Sequence, residues 1–227
     1  MTREYNPDTH EQELFATQEA FRAVMDAMAR PGMVRKVPPL HRPRLSNPWL
    51  ETIACMLIDS ACTFCVAAAD EEAFRTALAT RTYAKAQPPD AARFAVIAAD
   101  ADPDQATEVL LGLSGGNDIS PEKGATALIE CEALGIGQAF CATGPGIAKR
   151  HVFLVSSAWW HDAREARKDE FPRGIDIILV DGAGRVMAVP RTTRLEKTFP
   201  TDRPTMPLSK TALSDSSPHC SKTEGGN

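Results

Sequence analysis

Apolar residues at Phe21, Val24, Met25 and Met28 repeat at the i, i+3, i+4, i+7 spacing of one helix face. This pattern predicts a first helix that buries those four side chains, with Thr9 as its cap and Glu11 to Glu13 in the favourable first turn. Arg30-Pro31-Gly32 ends it, because Pro cannot continue a helix and Gly tolerates the reversal. Met33 to Val37 reads as a short extended piece and Pro38 to Pro43 as a Pro-rich loop. Asn47-Pro48 is a cap and first-turn pair for a helix that carries Ile53, Met56 and Leu57 inward and ends near Asp59. A strand over Phe64 to Ala68 follows, and Asp70 then caps a third helix containing Phe74 and Leu78.

Arg93 to Ala98 reads as a further strand. Asp102-Pro103 opens a helix with Val109, Leu110 and Leu113 apolar, broken by Ser114-Gly115-Gly116-Asn117-Asp118. Strands are expected from Gly124 to about Glu132 and over Ala139 to Ala142, the second meeting the turn Thr143-Gly144-Pro145-Gly146. Trp159 to Lys168 is a charged helix, stopped by Phe171-Pro172-Arg173-Gly174. Ile175 to Val180 is a nearly continuous apolar strand. Asp181-Gly182-Ala183-Gly184 turns it back into Val186 to Val189, and Pro190-Arg191-Thr192-Thr193-Arg194 then leaves the sheet. Interleaved helices and apolar strands predict one α/β domain over residues 1–197, a mixed sheet with flanking helices. Residues 198–227 hold four Pro and ten Ser or Thr with few large apolar side chains. Burial there cannot offset ordering entropy, so this tail reads as disordered or partner-bound.

Composition narrows the class. With 227 residues, 43% hydrophobic and 24% charged, the chain can build a core without disulfide or metal staples. A formal net charge of −5 gives no global attraction for nucleic acid or anionic membrane. Charges throughout the first twenty residues leave no apolar signal core. The longest apolar stretch, Ile53 to Ala69, is interrupted by Asp59, Ser60 and Thr63 and is short for a bilayer span. A cytoplasmic protein is expected.

Candidate chemistry is sparse. Cysteines stand at 55, 62, 65, 131, 141 and 220. Cys62-Thr63-Phe64-Cys65 has redox or zinc spacing, but the segment favours a strand. Residues three apart on a strand point to opposite faces, so buried thiols are expected. The five histidines, His10, His41, His151, His161 and His219, lack metal-ligand spacing. No H-E-x-x-H or P-loop is present. His161 beside Asp162 has the form of a general base, yet no nucleophile accompanies it, and a surface residue is the simpler reading. The glycine turn at Gly144 and Gly146 could present backbone N–H groups to an anion, although Pro145 removes one donor and a plain chain reversal explains it more simply. Arginines carry more promise. Arg30 ends the first helix. Arg173 precedes a strand whose hairpin partner is followed by Arg191 and Arg194, so Arg173 and Arg191 fall at one end of an antiparallel pair. Such guanidinium groups suit a phosphorylated ligand or a subunit interface. Asp176, just inside the last apolar strand, needs a partner such as Arg191 or Arg194.

Five stretches, in order, carry a resemblance. They are Phe21-Arg22-Ala23-Val24-Met25-Asp26-Ala27-Met28-Ala29-Arg30-Pro31-Gly32, Pro121-Glu122-Lys123-Gly124-Ala125-Thr126, Thr143-Gly144-Pro145-Gly146-Ile147, Phe171-Pro172-Arg173-Gly174-Ile175-Asp176 and Ala188-Val189-Pro190-Arg191-Thr192-Thr193. Over roughly residues 12–197 the chain resembles the PhnH family, the H subunit of the bacterial carbon–phosphorus lyase system for phosphonate use. The resemblance implies a fold like that of pyridoxal-phosphate-dependent transferases without the cofactor site. It also implies a place beside the G, I and J subunits of a core complex. That system is linked to displacing adenine from ATP by a phosphonate, giving a ribose 1-phosphonate 5-triphosphate.

The resemblance brings no catalytic residue. The sequence singles out none of Lys85, Lys123 and Lys149 for a pyridoxal Schiff base, and it has no iron–sulfur cysteine run. The expectation is a non-catalytic or contributory subunit with no cofactor, no metal and no catalytic residue of its own, with a second copy of the chain, as a homodimer, among its candidate partners. Arg30, Arg173, Arg191, Arg194, Gly144 and Gly146 are its candidate phosphate, phosphonate or interface residues. The competing readings are a self-sufficient transferase or phosphate-ligand protein using the Arg cluster, and a pure assembly protein.

Overall fold

A computed structural model describes residues 7–39 and 43–199, with side chains described from Leu14 onward. The expected tail after 198 therefore lies almost wholly outside the described residues, as do His41, His219, Cys220 and part of the Pro-rich loop. The elements are α1 (Pro7–Ala29), β1 (Arg35–Lys36), α2 (Pro48–Leu57), β2 (Thr63–Ala67), α3 (Glu71–Thr82), β3 (Lys85–Ala86), β4 (Phe94–Ile97), α4 (Pro103–Gly112), β5 (Thr126–Cys131), β6 (Leu134–Thr143), β7 (His151–Val155), α5 (Trp159–Ala166), β8 (Asp176–Asp181), β9 (Arg185–Val189) and β10 (Arg194–Thr198).

A seven-stranded sheet runs in the order β1-β9-β8-β5-β4-β2-β3. Strands β3, β2, β4, β5 and β8 are parallel, and β9 and β1 add antiparallel edges. In β8 the residues Ile177, Ile178, Leu179 and Val180 are all buried, as a strand covered on both faces requires. One face packs against α1, α2 and α3, where Val24, Leu50, Ile53 and Leu78 meet Phe64, Leu128 and Ile178. The other packs against α4, α5 and a second, antiparallel sheet β10-β6-β7, where Leu110, Phe140, Phe153 and Trp160 meet Ile129, Ile177 and Met187. The mixed α/β sheet with flanking helices read from the sequence is thus present.

Caps were legible. Asn47 accepts from Trp49 N at 3.0 Å and Leu50 N at 2.9 Å, and Asp70 accepts from Ala73 N at 3.0 Å. The first helix corrects two expectations. It begins at Pro7, so Thr9 stands inside it. Its packed face is Ala20, Val24 and Ala27, while Phe21 and Met25 are 51% and 53% exposed. Small residues at 20 and 27 let the helix lie close to β9 and α2, which leaves the larger apolar side chains outward. Strands β3, β7 and β10 were not foreseen, and β6 starts earlier than expected. β10, Arg-Leu-Glu-Lys-Thr, buries only Leu195, so its sequence reads as polar.

One fully buried carboxylate joins the two sheets. Asp181, at the end of β8, accepts from Ala183 N at 2.9 Å, Arg185 N at 3.0 Å, Arg185 Nε at 2.6 Å and, across to the start of β6, Leu134 N at 3.1 Å. Burial pushes its pKa up, but the Arg185, Leu134 and Ala183 amides and the Arg185 guanidinium outweigh burial, and the net shift is downward. Because the folded value is the lower one, its stabilisation is complete above the ordinary carboxylate value of about 3.9. That stabilisation is lost as pH falls from there through the folded value. Asp181→Asn is expected to cost roughly 2–3 kcal/mol near neutral pH. The gap to the wild type should narrow below about pH 4 in urea-unfolding series.

Candidate functional site

Segments far apart in sequence meet at the amino ends of the parallel strands. Arg191, just past β9, forms a fork on Asp176 at the start of β8, with Nη2 to Oδ2 at 2.6 Å and Nε to Oδ1 at 3.2 Å. Its backbone N donates to the same Oδ1 at 2.8 Å, and its Nη1 donates to the Pro121 carbonyl. Gly124 fits beneath this fork because it has no side chain. A Cβ there would lie 2.4 Å from the Gly174 carbonyl oxygen and 2.6 Å from Arg191 Nη1. Gly174 N in turn donates to the Gly115 carbonyl at 2.8 Å, and Asp176 N to Ala125 at 3.1 Å.

The remaining motifs close on the same end. Gly144 backs onto Thr192, and Gly32 N donates to Ala188 at 3.1 Å. Gly146, with φ +80°, sits where a Cβ would come within 2.3 Å of the Ala29 carbonyl oxygen.

The candidate residues divide accordingly. Arg173 and Arg191 line one polar cavity of about 100 Å³, together with Arg164, Lys168, Glu165 and Asp169. Arg173 also reaches Asp118 at 3.4 Å. Gly144 lies against Thr192, the residue after the lining residue Arg191, whereas Gly146 and Arg30 belong to the end of α1, where Arg30 pairs with Asp26 at 3.0 Å. Arg194 is exposed on β10, and it is Arg191 that takes Asp176.

Arg164 was missed. The α5 segment reads as a charged outer face, yet Trp160, His161 and Ala163 are buried and Arg164 follows them inward. Its Nη2 donates to the carbonyls of Pro190 at 3.3 Å, Arg191 at 3.2 Å and Thr193 at 2.7 Å. Burial lowers its pKa, against the raising influence of Glu165, Asp176 and Asp169. The only sequence signal was its position four residues after a Trp on a short helix.

His161 is also corrected. It is 7% exposed and packs on Phe140, with Nδ1 3.0 Å from Asp162 Oδ1. Lys197 Nζ holds the same Asp162 oxygen at 2.5 Å, and both partners lower the Asp162 pKa, Lys197 the more strongly. Lys85, Lys123 and Lys149 are exposed and lie in separate segments. Cys65 packs with the cluster beside α4 and α5, and Cys62 against the cluster on the opposite face of the sheet, so the two do not share a site.

At the carboxyl ends of the strands, where α/β folds usually hold ligands, a cavity of about 260 Å³ is lined by Glu130, Glu132, Ser156, Ser157 and Trp159. Its charged side chains are acidic and suit no phosphate. The cationic cavity lies at the other end of the sheet.

Fold and junction together define a layered α/β protein whose crossing between two sheets is pinned by arginines. The chain matches the family described as bacterial phosphonate metabolism protein (PhnH) along residues 9–196, and it belongs to that family. It is similar to HtxG of Stutzerimonas stutzeri, named as a C-P lyase subunit protein, with 34% identity over 182 residues, covering 78% of this chain and 85% of HtxG. It is also similar to the alpha-D-ribose 1-methylphosphonate 5-triphosphate synthase subunit PhnH of Rhizobium meliloti (strain 1021), with 29% identity over 199 residues, covering 81% and 92%.

Two outcomes follow. Arg191→Ala, which leaves a half-buried carboxylate without its partner, is expected to lower stability by roughly 2–4 kcal/mol in urea unfolding. Burial pushes the thiols of Cys65 and Cys131 up to about 12 each. Iodoacetamide at mildly alkaline pH should therefore leave both unmodified in the native protein and label them once it is unfolded, as peptide mass mapping would show.

Proposed function

We propose that the chain is a contributory, non-catalytic subunit of a carbon–phosphorus lyase complex in the cytoplasm. It would support formation of alpha-D-ribose 1-methylphosphonate 5-triphosphate from ATP and methylphosphonate alongside the G, I and J subunits. The observation that carries this reading is the family match along residues 9–196, reinforced by the printed roles of the two relatives. The likeness to a pyridoxal-phosphate-dependent transferase fold without the cofactor site belongs to the same reading. A mostly parallel, mixed seven-stranded sheet between helical layers supports it. So does the junction itself, where Arg191 and Asp176 are committed to each other and hold the chain crossing rather than standing free to react.

For docking, the outward face of α1 supplies Leu14, Phe15, Phe21 and Met25, each more than half exposed. An apolar stripe of this kind marks an association surface, against a partner subunit or, in the isolated chain, a second copy. Arg30 and Arg194, both exposed, are assigned to such surfaces.

Co-expression with the G, I and J chains, followed by native mass measurement, tests the reading. A stable assembly containing this chain is expected, with product formed by the assembly and not by the solitary chain. The double variant Phe21→Asp, Met25→Asp should lose co-purification while unfolding within about 1 kcal/mol of the wild type. Turnover by the homogeneous solitary chain would overturn the subunit role, and undiminished assembly of the double variant would overturn the α1 surface.

A further inference from the structure

We propose that the cavity between α5 and the Phe171–Gly174 turn is a binding site for a single tetrahedral oxyanion, phosphate or phosphonate, with Arg164 and Lys168 as its receptors. The inference rests on this chain's own residues and does not depend on the subunit role.

Charge pairing within the cavity leaves these two cations over. Arg191 is held by Asp176, Asp169 by Arg167 at 2.7 Å, and Arg173 reaches Asp118. Of the carboxylates that act on Arg164, Asp169 and Asp176 are paired with other arginines, which leaves the exposed Glu165. Arg164 forms no ion pair among the described residues. It spends Nη2 on three carbonyls, and its Nη1 is buried with no hydrogen-bond partner. A buried guanidinium N–H with nothing to donate to is costly, and Nη1 keeps its donors for an oxyanion oxygen while Nη2 stays on the carbonyls.

Two other buried side-chain polar atoms among the described residues lack a partner, His161 Nε2, three residues before Arg164 on α5, and Thr193 Oγ1, in a residue whose carbonyl Arg164 holds; neither residue lines the cavity. Lys168, with φ +53°, turns the chain back after α5 and brings its residue to the rim.

A cavity of about 100 Å³ suits one five-atom oxyanion and is too small to enclose a nucleotide.

The test is calorimetric titration of the full chain with inorganic phosphate, methylphosphonate and acetate, near neutral pH and at low salt. Phosphate and methylphosphonate should each bind at least about ten-fold more tightly than acetate. Arg164→Gln should weaken phosphate binding about ten-fold or more, and Lys168→Gln, at an exposed position, about three- to five-fold. Circular dichroism checks the fold of each variant. Should Arg164→Gln fail to fold, Arg164→Lys, which keeps the charge and loses Nη1, takes its place with Lys168→Gln. No binding of either tetrahedral ion by the wild type, acetate bound as tightly as phosphate, or wild-type affinity in both folded variants would overturn the site. Assembly with partner subunits should proceed in Lys168→Gln, so failure of the anion site and failure of the subunit reading remain separable.

Discussion

The structure depends on one crossing. After β9 the chain leaves the seven-stranded sheet, and within a few residues it enters β10 of the second sheet. Pro190 to Thr193 makes that passage. Arg191 ties it from one side to Asp176, and Arg164 grips its carbonyls from the other. Neither guanidinium is fully exposed, so each bond acts in a medium less polar than water and is stronger for it. The dependence runs both ways, since removing one partner would leave a charge that solvent cannot easily recover.

This crossing explains why five separated motifs matter together. Gly124 has to be small beneath Arg191, Gly146 has to turn against the end of α1, and Pro121 offers a carbonyl to the same arginine. The motifs are parts of one mechanical joint, built at the amino ends of the parallel strands. Ligand sites in α/β folds lie by habit at the carboxyl ends. A joint that also encloses an unpaired arginine becomes a candidate binding site by a different route, through polar groups that the joint itself leaves without partners.

Much of the sheet was legible because its physics is local. Asn47-Pro48 and Asp70 are caps whose side chains answer amides two or three residues ahead. The run Ile175 to Val180 reads as a nearly continuous apolar strand, and Asp181 to Gly184 as its turn. On α1 the larger Phe21 and Met25 point outward while Ala20 and Ala27 pack inward and allow close approach, so apolar spacing alone misplaces the buried face. β10 escaped because an edge strand with one buried side chain looks like any polar segment. The pairing of Arg191 with Asp176 was foreseen as one of two choices. Arg164 was not, because burial of a helix charge depends on what the rest of the chain lays over it.

Amide hydrogen exchange compares most directly with the claim that the arginine–aspartate fork governs how the two sheets are joined. In Asp176→Asn, amides of β10 and of Arg191 should lose much of their protection, while those of β2 and β4, on the far side of the sheet, stay near wild-type values. Unchanged protection across β10 in that variant, or a loss spread evenly over every strand, would contradict it.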